Sequence, residues 1–111
     1  MPFILVRLQT EQGQLVAEVD DRGVIAPLAA LAENDSSFVC WRFIREHEDT
    51  YFSAAQMNDF IAELERLRPH AGAEGQATLD SIRTAAERCQ AENLYMRVGG
   101  ARKLNTFGGE K

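Results

Sequence analysis

Arg45-Glu46-His47-Glu48-Asp49 puts five titratable side chains in a row. Such a run could ligate a metal, share a proton or attract a charged partner, and spacing decides among these. Zinc sites pair their ligands as His-x3-His on one helical face or as Cys-x2-Cys. Here His47 and His70 stand 23 residues apart, and Cys40 and Cys89 lie elsewhere. A calcium loop needs acids at alternate positions closed by a glutamate, and the chain has none. Glu46 and Asp49 could flank a substrate, but a four-residue turn offers no pocket that would raise a carboxyl pKa. Ser36, Ser37, Ser53 and Ser81 lack the glycines of a nucleophile elbow. The Gly-Gly pairs at 99–100 and 108–109 are not followed by the Lys-Ser/Thr of a phosphate-binding loop. The chain therefore reads as non-enzymatic, with no catalytic group, metal or cofactor, and the charged run reads as an exposed turn. Arg42 is separate: a charge in an apolar segment needs a partner or an opening to water, so it is a candidate anchor for an acidic group.

The elements that would position these groups follow from periodicity. "PFILVRLQ" (2–9) and "QLVAEVD" (14–20) alternate as strands, joined by "TEQG" with Gly13 available for a positive φ. "DDRG" breaks the chain, and Pro27 opens one or two helical turns over 27–33. "SSFVCWRFIR" (36–45) is apolar on both faces and reads as a central strand. "DTYFS" (49–53) then returns on it as a hairpin, with "EHED" as the turn. Ser53 and Gln56 form a capping box opening a helix that Pro69 stops after Arg68. Its stripe is Met57, Phe60, Ile61, Leu64 and Leu67, with Asp59, Glu63 and Arg66 on the other side and Glu63 able to pair with Arg66. Residues 70–75 read as a loop, 76–91 as a second helix with Leu79, Ile82, Ala86 and Cys89 inward, and 93–98 as a last strand. The expectation is an α+β fold: an antiparallel sheet of about five strands with two helices packed on one face, order ββ(α)ββααβ. Residues 1–100 form one domain and 101–111 a polar tail carrying Leu104 and Phe107.

The 111 residues are 45% hydrophobic and 26% charged, enough for one core without staples. The net charge of −5 is uneven: residues 1–65 hold 12 acids against 4 arginines, and residues 66–111 hold 5 acids against 8 bases. An acidic chain gains nothing from phosphate backbones, which argues against nucleic-acid binding. No run is long enough to span a bilayer, and no leader-like segment opens the chain. Two cysteines inside apolar segments read as buried thiols, so the expected location is the cytoplasm.

The run "FVCWRFIREHEDTYFSAAQMNDFIAELERL" (38–67), followed by "NLYMRVGG" (93–100), resembles a group of small bacterial α+β proteins. In that group a hydrophobic strand ends in aromatic-Ile-Asp, and a turn leads to Gly-Asp-Thr-x-Phe. A helix with Gln and Glu-Leu-x-x-Leu follows. Phe43, Ile44, Asp49, Thr50, Phe52, Gln56, Glu63, Leu64 and Leu67 match. Arg45 replaces the acid after Ile44, and Glu48 replaces the glycine before Asp49. Some members resemble immunity proteins of secreted toxin systems, so the resemblance implies a non-catalytic protein that neutralises a cognate toxin by binding it. The surface expected to do so comprises Asp20, Asp21, Arg42, Glu46, Glu48 and Asp49, whose acids would meet a basic surface. Two other readings stand beside it: a small enzyme or ligand-binding domain with a pocket around Trp41, Arg42, Tyr51 and Tyr95, and a homodimeric structural subunit.

Overall fold

The computed structural model describes residues 4–100. The expected tail, with Leu104 and Phe107, lies outside the described residues. Strand β1 (Ile4–Gln9) turns through Gly13, at φ +86°, into β2 (Leu15–Asp20). Helix α1 (Ile25–Glu33) follows. A coil with one 3-10 turn at Trp41–Phe43 leads to β3 (Thr50–Ser53). Helix α2 (Met57–Leu67) and helix α3 (Gly72–Glu92) precede β4 (Tyr95–Gly100). The fold is α+β, as expected, but among the described residues the sheet has four strands and three helices accompany it. All pairings are antiparallel, in the order β2-β1-β4-β3, so the first and last strands sit side by side at the centre.

Alternation sets the two faces of the sheet. Ile4, Val6, Leu8, Phe52, Met96 and Val98 are buried in one core with Leu28 of α1, Phe60 and Leu64 of α2, and Leu79 and Ile82 of α3. The capping box at Ser53 and Gln56 is present, with Gln56 Oε1 accepting the Ser53 amide at 2.8 Å. The helical stripe of α2 is buried as expected, except that Ile61 is only partly so. The chain leaves α2 through a 3-10 turn that contains Pro69. Helix α3 starts at Gly72, four residues before the expected position, and the Gln76 side chain donates to the carbonyls of Arg68 and Gly72 at 3.0 and 3.1 Å. It ends on Asn93 in the left-handed region, at φ +57° and ψ +48°.

The expected strand over 36–45 is not a strand. Glu63, expected on the exposed side of α2, is buried and accepts the backbone amides of Val39, Cys40 and Trp41 at 2.7, 3.1 and 2.9 Å. A side chain thus takes the donors that a ladder would have used. Trp41 fixes the coil further by donating its indole N–H to the Phe60 carbonyl at 3.2 Å. The apolar pattern reflects Phe38, Cys40, Trp41 and Ile44 reaching inward from irregular backbone, while Val39 and Phe43 are exposed. Without that strand the expected hairpin is also lost: β3 pairs with β4, and only a single bridge joins Arg45 to Glu48. Both cysteines are free and buried, as expected, and burial pushes their thiols up to about 12 (Cys40, with Glu63 and Asp59 adding to it) and about 11 (Cys89).

Candidate partner-binding face

The side of the sheet opposite the core is covered by no helix or strand among the described residues. Register places its side chains in rows. Glu18, Arg7, Arg97 and Tyr51 lie across β2, β1, β4 and β3, and Leu15, Gln9, Tyr95 and Ser53 form the row beside them. Asp20, Leu5 and Gly99 form the row on the other side, with Asp49 against Gly99. Leu15, Tyr51 and Tyr95 are 56%, 54% and 37% exposed, a large apolar share for one sheet face. A shift of register between Leu8 and Gln9 leaves Val16 as an extra residue, which packs inward while Leu15 stays out.

Arg7 and Arg97 are cross-strand neighbours, an arrangement that repels unless acids flank it. Arg7 Nε donates to Glu18 Oε2 at 3.0 Å. Arg97 Nε stands 4.0 Å from Asp49 Oδ2, and this buried nitrogen has no hydrogen-bond partner. The row therefore runs Glu18, Arg7, Arg97 and Tyr51, with Asp49 reaching Arg97 from the adjacent row and Tyr95 two residues before Arg97 on β4.

The 46–49 turn is pressed on the end of β4. A Cβ on Gly99 would collide with the Asp49 carboxylate, and one on Gly100 with the Glu46 carbonyl oxygen. The glycine pair ends the strand, as expected, being the last two residues of β4, and its lack of side chains lets the turn approach.

The six residues expected to share a surface do not. Asp20 and Asp49 lie in the outer row, and exposed Glu48 adjoins Asp49. Arg42 belongs to the 3-10 turn packed on α1, its guanidinium 5.3 Å from the Phe43 ring. Glu46 lines a small hollow with Ala26, Ala29 and Glu33 of α1. Asp21 is fully buried, and its carboxylate accepts the amides of Ile4, Gly23 and Ile25 at 2.9, 2.9 and 2.7 Å. It ties β1 to the start of α1, so its place on a binding surface is corrected. The alternative pocket is not formed either. Trp41 is fully buried with its ring 5.3 Å from that of Phe60, whereas Tyr51 and Tyr95 stand on the far side of the sheet.

Sequence reasoning missed Arg7, Glu18 and Arg97. Each occupies a polar alternate of a correctly read strand, and what was not legible is that β1 and β4 pair. Among the described residues, no group of three His, Cys, Asp or Glu is placed to hold a metal, and no helix is long and apolar enough to cross a membrane. No family model, curated protein or solved structure matches the chain.

Proposed function

We propose that the chain is a non-catalytic protein-binding domain that docks through the open face of its sheet. The observation that carries this reading is the asymmetry of the sheet: one face is packed into the core, and the other presents Leu15, Tyr51, Tyr95 and Arg97. Tyrosine and arginine are the residue types enriched in the energetic centres of protein interfaces. Glu18, Asp20, Glu48 and Asp49 at the margin suit a partner with a basic rim. The resemblance of residues 38–67 and 93–100 to a group of small bacterial proteins, some of which resemble immunity proteins, supports a secreted bacterial toxin as that partner, bound in the cytoplasm of the producing cell.

The product of the neighbouring gene is the partner to test. Changing both Tyr51 and Tyr95 to alanine should weaken binding by about 2 kcal/mol or more, the scale of an interface hot spot, while leaving the denaturation midpoint nearly unchanged. Titration calorimetry reads this. Full affinity in the folded double variant would move the interface off the sheet.

A further inference from the structure

A separate site lies on the helix side of the molecule. The turn Asp21–Val24 closes with Val24 N–H donating to the Asp21 carbonyl at 3.0 Å, and Arg22 and Gly23 sit at φ +54° and +83°. Both central residues thus adopt the left-handed conformation of a type I′ turn, where glycine or asparagine is preferred. An arginine there is strained, and it is held by Asp20 accepting its amide at 2.9 Å and by Asp21 accepting that of Gly23. Local conformational preference does not account for arginine at this position, which directs attention to its side chain.

Arg22 lines a cavity of about 300 Å³ between the turn and the start of α3, and also a second hollow of about 220 Å³. The larger cavity has apolar walls that include Val24 and Leu28 and a polar lining of Arg22, His70, Glu74 and Thr78. Such a mixture of apolar and polar groups around one hollow suits a small ligand that has both a polar and an apolar part. Arg22 and Glu74 face the same space, yet neither forms an ion pair among the described residues. Opposite charges that line one hollow without pairing with each other suit a ligand carrying both charges and an apolar body.

We propose that this cavity binds an apolar α-amino acid as its zwitterion. Arg22 forks the carboxylate, Glu74 receives the ammonium group, and the side chain lies on Val24 and Leu28. The Thr78 hydroxyl and His70 border the polar end. The site is independent of the sheet face.

The test is a titration of the ¹⁵N-labelled protein with leucine, valine and phenylalanine in turn. At least one should give saturable shifts concentrated at Gly23, Val24, Ala71 and Gly75. For leucine the matched controls are leucinamide, which lacks the carboxylate, and 4-methylpentanoate, which lacks the ammonium group; each should bind roughly tenfold more weakly or worse, as expected on losing a charge-assisted contact. Arg22→Gly should raise the denaturation midpoint by relieving the turn and abolish binding. No saturable shift with any of the three, equal binding of either control, or an Arg22→Gly variant that still binds or is no more stable would each overturn the proposal.

Discussion

Glu63 sets the path of the chain between α1 and β3. Glu63 is 4% exposed, and its carboxylate accepts three consecutive amides, from Val39 to Trp41. Hydrogen bonds to a charged acceptor contribute more than neutral ones, and a partly buried donor left without a partner is penalised again. Glu63→Ala should therefore destabilise by about 3 kcal/mol or more, read from the urea midpoint, whereas Glu63→Gln, which keeps a carbonyl acceptor, should lose less. Equal losses would mean the carboxylate is not what organises the coil. Gly99 makes a second residue-scale case. A methyl there would meet both the carboxylate and the Cα of Asp49, so the turn must move rather than one flexible side chain. Gly99→Ala should cost about 1–3 kcal/mol, as overpacking does, and shift the amide resonances of 46–50. Neither role was legible in the sequence. A glutamate in an exposed-looking helical register reads as surface, and a glycine pair reads as a strand end. Only the fold reveals what passes beside each of them.

At the scale of elements, local signals were legible and remote ones were not. The capping box, the proline after α2 and the apolar stripe of α2 act within a few residues, and all three appear where the sequence puts them. The 36–45 segment failed because strand and buried coil share one apolar signature, and the deciding contact comes from Glu63, more than 20 residues away. The start of α3 failed because "HAGAEG" has no Ser, Thr or Asp cap and carries two glycines. The α2–α3 junction also carries the clearest pH dependence. Glu65 accepts from Arg68 at 2.8 and 3.0 Å and from Arg83 at 2.7 Å. Hydrogen bonds from these guanidiniums hold its carboxyl down to about 2, below its ordinary value of 4.5. A depressed folded-state pKa gives stability that is complete above the unfolded pKa and fades as pH falls toward the folded one. The contribution of Glu65 should thus be present at neutral pH and decline between about pH 5 and 2. Glu65→Gln should be less stable than the parent at pH 7, with the difference shrinking over that window. Because Glu65 is partly exposed, added salt should reduce the difference as well. A gap between the two proteins that stays constant down to pH 2 would remove Glu65 from the acid response.

The described residues span 42 × 32 × 26 Å over their Cα atoms, several times the screening length of about 8 Å at physiological salt. Charge on one face is therefore felt little at the other, and the uneven distribution along the chain becomes informative once it is folded. Of the acids expected to form one surface, Glu48 and Asp49 stay at the margin of the open sheet with Asp20, while Glu46 faces α1 and Asp21 is internal. Steering by the docking face should follow this geography and not the net charge of −5. Glu48 is exposed and forms no ion pair among the described residues, so Glu48→Lys changes the local potential by two charges with little effect on folding. It should slow association with the neighbouring gene's product several-fold at low salt and flatten the salt dependence of the on-rate, with a smaller change in the off-rate. Glu87→Lys makes the same change of net charge on α3, in the helical layer. Stopped-flow measurements over a range of ionic strengths separate the two cases. A Glu87→Lys variant that slows association as much as Glu48→Lys would show that overall charge, and not the open face, guides the encounter. The face would then remain a docking surface only if the tyrosine substitutions still raised the dissociation constant.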